Sequence, residues 1–235
     1  MSSPAEPRYG TPNWEMLSGW FDLPKEDDGP FWAINLMKYR AIADYADGRE
    51  TTLTGREADD LYAPFGPIEA VGGMVAFGAD VSSQLSGSPE YDRVAIVRYP
   101  SRAAFFEMQR REDFQELHLH KDAGMESTIV MACRPRSTDS AQPEDDESLL
   151  VRVRGSRVGS EATEDFAGLA PVARFEVEGV IIGDGSDWNE VLLDLVTASD
   201  LEEVAATSAI DDQISILLAQ PVIDELVQSI QSADG

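Results

Sequence analysis

The order of hydrophobic patterns in this 235-residue chain predicts an α+β fold made of two tandem ferredoxin-like βαββαβ units. Three observations predict it. Residues 134–148, "RPRSTDSAQPEDDES", are polar, acidic and proline-marked, so a linker at 136–147 divides residues 30–135 from residues 148–235. Each part reads as strand, helix, two strands, helix, strand. The parts also rhyme. "YDRVAIVRYPSRAAFFEM" and "WNEVLLDLVTASDLEEVA" share an aromatic start, a valine, an apolar run and a capped helix, and "IVMACRP" and "SILLAQP" are strands closed by proline.

Residues 1–29 read as an N-terminal lead-in, whose start, "MSSPAEPRYGTP", reads as disordered and has no basic start, apolar segment or cleavage pattern of a signal peptide. "FWAINLMKYR" (31–40) is an aromatic-rich strand. Thr54 and Glu57 form a capping box that opens a helix carrying Leu61, Phe65 and Ile68 on one side. Pro64 and Pro67 kink or break it, and Gly72 and Gly73 stop it. "MVAFGADVSSQL" (74–85) and "YDRVAIVRYP" (91–100) are strands, and Ser101 caps the next helix. A second capping box, Asp113 with Glu116, predicts a helix over about 114–123, before the strand "STIVMACRP" (127–135).

In the second part, "LLVRVRG" (149–155) is a strand and "EATEDFAGLA" (161–170) a short helix. Strands at 173–184 and 188–197 join through Asp184-Gly185, a tight-turn pair. A helix capped by Ser199, a strand at 214–221 ended by Pro221 and a helix at 222–230 complete the series.

Composition narrows function. The net charge is −26, and all but three basic residues are arginines. Such a surface repels phosphate backbones and anionic lipid, so neither nucleic acid nor a membrane is an expected partner. A high-salt cytoplasm or an arginine-favouring genome accounts for the acidity better than a functional patch does. No apolar run approaches the roughly 18–20 residues that cross a bilayer. A single cysteine, Cys133, excludes an internal disulfide and fits a small core residue. The expectation is a cytoplasmic protein, monomer or homodimer, with a small-molecule ligand.

The first part resembles the DUF1330 family, proteins of unknown function. Asn35-Leu36 stand in the first strand, Tyr91-Asp92 open the third, Tyr99 to Ser101 make the strand-to-helix junction, and Lys121 precedes Ala123-Gly124. Tyr91 and Lys121 replace the family's commoner Trp and Arg. The resemblance implies membership of the dimeric α+β barrel superfamily, whose members include cofactor-free monooxygenases, isomerases, cyclases and haem-handling enzymes. Two units in one chain would then pair their antiparallel sheets into an intrachain barrel with helices outside and a cavity inside.

Both histidines lie in "QELHLHKDAG" (115–124). On a strand, His118 and His120 would share a face and could chelate a metal. On the helix predicted here they point roughly 200° apart, so no metal site is expected. His118 shares a stripe with Phe114, Leu117 and Lys121 and is either a satisfied boundary histidine or a general base. His120 is expected to pair with Glu116 at the surface. Asn35 interrupts an apolar strand and shares a face with Met37 and Tyr39; Arg93 and Tyr99 share a face of the third strand. If the leucine-isoleucine face meets the helices, Asn35 and Tyr39 look into the barrel. Tyr62, beside Leu61, reads as core.

The candidate catalytic residues are therefore His118 and Tyr99, and the candidate ligand-binding residues Asn35, Tyr39 and Arg93, with neither metal nor bound cofactor. Two functions compete. One is a cofactor-independent enzyme that moves a proton of an apolar or aromatic compound. The other is a non-catalytic ligand-binding or protein-interaction barrel, favoured by a second part poor in acids and bases. A haem role would need a histidine aimed into the barrel.

Overall fold

The computed structural model describes residues 7–155, 169–207 and 214–233. In order come β1 (Thr11–Pro12), α1 (Trp14–Phe21), β2 (Phe31–Tyr39), α2 (Gly55–Tyr62), α3 (Phe65–Ala70), β3 (Met74–Ser86), β4 (Arg93–Tyr99), α4 (Arg102–Arg110), α5 (Glu112–Gly124) and β5 (Met125–Thr138). Then follow β6 (Glu147–Gly155), β7 (Ala173–Gly183), β8 (Trp188–Thr197), α6 (Ala198–Thr207), β9 (Ile214–Asp224) and α7 (Leu226–Gln231). Eight antiparallel strands close into a barrel in the order β7-β5-β2-β4-β3-β9-β6-β8, with β8 pairing back to β7. The strands of the two parts meet at two seams, β5–β7 and β3–β9. No helix among the described residues is long and apolar enough to cross a membrane.

The barrel interior is filled by side chains. Trp32, Ile34 and Leu36 of β2 share one buried cluster with Val151 of β6, Leu193 of β8 and Leu217 of β9. Strands on opposite sides of the barrel can share a cluster only through inward-pointing residues. Against the same core lies α7, where Ser229 Oγ accepts a 2.9 Å hydrogen bond from Trp32 Nε1. The leucine-isoleucine face thus points inward, and Asn35, Met37 and Tyr39 face the helices, which reverses the expected orientation. The reason is that β2 is buried on both faces from Phe31 to Met37. Alternation separates two faces without telling which one meets which layer.

Local signals decide most helix boundaries. Thr54 Oγ1 accepts from Glu57 N at 3.1 Å, and Glu57 Oε2 accepts from Thr54 N at 2.8 Å, the reciprocal box expected there. The helix breaks at Pro64 into α2 and α3. Ser101 Oγ caps α4 by accepting from Ala104 N. The box expected at Asp113 is absent. Asp113 pairs with Arg111, and α5 starts a turn-fraction earlier, at Glu112, without a side-chain cap.

Three further expectations are corrected, and a fourth falls mostly outside the described residues. Residues 7–12, expected to be disordered, add β1 to the edge of β7, and the lead-in continues as α1 over the sheet, because Tyr9 and Leu17 have apolar surface to bury there. The linker shortens to residues 139–146 and is pinned: Ala141 is buried, and its N–H donates to Asp224 Oδ2 at 2.6 Å. β9 runs past Pro221 to Asp224, with the proline opposite Ala79 and next to the register shift between Gly78 and Ala79. Residues 161–168 of the helix expected at 161–170 lie outside the described residues, and Leu169 and Ala170 are not helical.

α2 and α5 cross at two glycines. A Cβ on Gly124 would sit 2.6 Å from the Gly55 carbonyl oxygen, and one on Gly55 would sit 2.5 Å from the Arg40 carbonyl oxygen. Both obstacles are backbone, so neither can swing aside. Gly55→Ala is expected to destabilise the chain by about 2 kcal/mol, the scale of core overpacking. A denaturant midpoint unchanged from wild type would show that the crossing can relax.

Candidate functional site

The outer face of β2 and β4, roofed by α2 to α5, encloses the site. In register across the two strands stand Ala33 with Val97, Asn35 with Ala95, and Met37 with Arg93. From the helices come Asp59 and Tyr62 of α2, Phe65 and Ile68 of α3, Phe105 and Met108 of α4, and Phe114, His118 and Lys121 of α5. Tyr9 enters from the N-terminal segment, and Val222 and Ile223 of β9 reach the edge. Between them lies a mainly apolar cavity of about 370 Å³, within the range of small-molecule sites. It lies outside the barrel, between sheet and helices.

Lys121 is the central polar group. The residue is 7% exposed, and its Nζ donates to Asn35 Oδ1 at 3.4 Å. It also lies 5.4 Å from the Tyr9 ring centroid and 5.2 Å from that of Tyr62. Burial lowers its pKa to about 8, with Asp59 pulling the other way. Asn35 spends its amide donor on the Ala33 carbonyl at 3.1 Å, so its oxygen faces the lysine.

His118 Nε2 lies 2.8 Å from Tyr9 Oη. Burial pushes the Tyr9 phenol well above its ordinary range, so the tyrosine keeps its proton and donates. Burial first, and the Lys121 charge second, lower the His118 pKa to about 4. The imidazole is therefore neutral at pH 7, and its acceptor nitrogen is occupied. His120 does not pair with Glu116: its Nδ1 meets Tyr45 Oη at 2.6 Å. The helix sends the two histidines to different tyrosines, and among the described residues no group of three His, Cys, Asp or Glu side chains could hold a metal.

Arg93 and Tyr39 belong to a rim network. Arg93 donates to Asp59 Oδ2 and to Asp80 Oδ1, each at 2.9 Å, and Tyr39 Oη donates to Asp59 Oδ2 at 2.7 Å. Arg56 adds two bonds to Asp80. Burial raises the Asp80 carboxyl, but Arg56 and Arg93 outweigh it and hold it below its ordinary range. Tyr99 stacks on Phe31 and meets Phe105 edge-on at the far wall. The Tyr62 and Tyr99 hydroxyls make no hydrogen bond to a described residue, and burial keeps both phenols protonated.

The structure thus brings Asn35, Arg93, Tyr99 and His118 to one cavity and keeps Tyr39 behind Asp59. Sequence reasoning missed Lys121, Tyr9, Tyr62 and Asp59 as site groups. For Lys121 a signal existed, since it shares the helical stripe of Phe114 and His118. Tyr9 had none, because nothing local ties residue 9 to residue 118.

The equivalent outer face of the other part holds a buried ion pair instead. Arg152 of β6 donates Nε and Nη2 to Asp194 of β8, both at 2.8 Å, with side chains 2% and 1% exposed.

No family model matches the chain, and no curated protein matches it. The methylated RPA0582 protein is 33% identical over 54% of this chain and 93% of its own, with a TM-score of 0.46. A second structure of RPA0582, a protein of unknown function from Rhodopseudomonas palustris, is 30% identical over 53% and 94%, with a TM-score of 0.45. A provisionally named monooxygenase from Lactobacillus acidophilus NCFM is 9% identical over 83% and 94%, with a TM-score of 0.41. None of these likenesses assigns an activity to the chain. It is similar, at a third identity over about half its length, to a protein whose own function is unknown.

Proposed function

We propose that this chain binds a small apolar or aromatic compound in the cavity between β2–β4 and α2–α5, and moves one of its protons without a metal or bound cofactor. One observation carries the reading: polar groups with unspent capacity, Lys121, Tyr62 and Tyr99, converge on a mainly apolar cavity. Such a wall both selects apolar ligands and addresses one polar centre on them. Lys121 is the proton-moving group, since its amine titrates closer to neutrality than an ordinary lysine. The tyrosine hydroxyls steady the negative charge that develops. His118 supports Tyr9, and Arg93 braces the rim.

Both parts follow one strand order, β5-β2-β4-β3 and β9-β6-β8-β7, which supports two ferredoxin-like units in tandem. The DUF1330 resemblance rests on the motifs of the first. The second unit, its outer face filled by Arg152 and Asp194, completes the barrel.

2-Indanone, an aromatic ketone with an acidic C–H, tests the reading by NMR in deuterium oxide. The chain is expected to accelerate exchange of that proton by about 10²-fold, and Ala95→Trp, which fills the cavity, to abolish both exchange and binding. Binding without exchange supports the non-catalytic ligand-binding alternative. Absence of binding removes the reading.

A further inference from the structure

We propose that Lys121 is a condensing amine, whose Nζ forms an imine with the carbonyl carbon of an apolar or aromatic aldehyde or ketone held in the cavity. The inference rests on the small-molecule reading above and names its substrate class.

The placement of the amine argues for it. A buried lysine kept for stability is paired with a carboxylate. Among the described residues Lys121 Nζ has no carboxylate within ion-pair distance; its polar contact is the neutral Asn35 amide at 3.4 Å. An ammonium seat for an anionic ligand is the obvious competitor. Two features oppose it: Asp59 and Asp60 line the same cavity and offset the charge of Arg93 there, and the chain carries −26. Both repel an anion and are indifferent to a neutral carbonyl. The desolvation that lowers the amine's pKa to about 8 also leaves about a tenth of it neutral at pH 7, against less than a thousandth of an ordinary lysine.

The step balances with groups present. The amine lone pair attacks the carbonyl carbon, a C–N bond forms, and the carbonyl π pair moves to oxygen. That oxygen takes a proton, and the nitrogen loses one, giving a carbinolamine. The remaining nitrogen proton then passes to the hydroxyl, which leaves as water as the C=N bond forms. Ketone plus amine thus become imine plus water, with no change in oxidation level. Tyr62 and Tyr99 supply hydroxyl donors toward the oxygen, and Asn35 Oδ1 holds an amine hydrogen. The protonated imine acidifies the neighbouring C–H and takes up its electron pair, while the water released by the condensation accepts the proton. Lys121 thus moves that proton as the imine and not as the free base, and condensation and proton transfer become successive steps at one site. Hydrolysis returns the amine.

Only three lysines, Lys25, Lys38 and Lys121, occur in the chain, so peptide mapping reads the outcome directly. The full chain is incubated near pH 7 with benzaldehyde and sodium cyanoborohydride, which reduces an imine to a stable benzylamine. Lys121 is expected to acquire the benzyl group at least about tenfold faster than Lys25 or Lys38. Ala95→Trp is expected to slow labelling of Lys121 by at least about tenfold and to leave the exposed lysines unchanged. Labelling of Lys25 and Lys38 with Lys121 unmodified overturns the inference. So does stronger thermal stabilisation by benzoate, which cannot condense, than by benzaldehyde. In either case, retained thermal stabilisation by 2-indanone leaves the cavity reading standing, and its loss removes that reading as well.

Discussion

Lys121→Met is expected to stabilise the folded chain by about 2–3 kcal/mol at pH 7, an unusual direction for a core substitution. The wild-type fold must desolvate an ammonium group with only an amide oxygen and two aromatic rings for compensation. Methionine has similar length and no charge. The pH dependence follows from the lowered pKa. Below about pH 8 the folded and unfolded chains both bind the proton, and the penalty is present in full. Between that value and the ordinary lysine value of 10.5 the unfolded chain keeps the proton while the folded chain releases it. Stability of the wild type therefore rises with pH in this window, by up to about 1.4 kcal/mol per unit, and the gap to the variant closes. Guanidinium unfolding of both proteins from pH 7 to pH 10 measures it. A gap that stays flat would mean that the amine is solvated. The same exchange of stability for a poised group is what a functional site requires.

Asp194→Leu is expected to have the opposite and larger effect, a loss of about 3–5 kcal/mol. Arg152 lies at 2% exposure, and its guanidinium meets Asp194 through two parallel bonds of 2.8 Å. Removing the carboxylate leaves a buried planar cation without its bidentate acceptor. Removing both charges, as Arg152→Met with Asp194→Leu, is expected to lose less than the single change, since the desolvation of both ions disappears together. Chemical unfolding of the single and double variants forms a double-mutant cycle. A single variant as stable as wild type would show that water reaches this face.

The two predictions mark the difference between the faces. On the outer side of its sheet the first part keeps a cavity around an amine without a carboxylate partner among the described residues, and the second part holds a matched buried pair. Asn35 stands opposite Ala95, whereas Arg152 stands opposite Leu192. A small residue at the first position leaves room, and a large one at the second, beside a paired arginine, does not. By sequence the second part reads as poor in acids and bases. Arg152 and Asp194 escaped because an arginine in an alternating strand looks like a solvent-facing residue until the covering layer is known.

Short-range physics was written in the chain. The Thr54–Glu57 box, the break at Pro64, the Ser101 cap and the helical spacing that separates His118 from His120 each depend on residues within one or two turns. The order of strands and helices follows from the same local terms. Tertiary structure decided the rest. Two apolar faces of β2 are indistinguishable by period, so only barrel closure chose which one points inward. Tyr9 reaches His118 across 109 positions because β1 finds a free edge on β7, a bond no local pattern encodes. Lys121 lost its water only when α2, α5 and the β2–β4 face came together, since desolvation belongs to an assembled layer and to no segment of it.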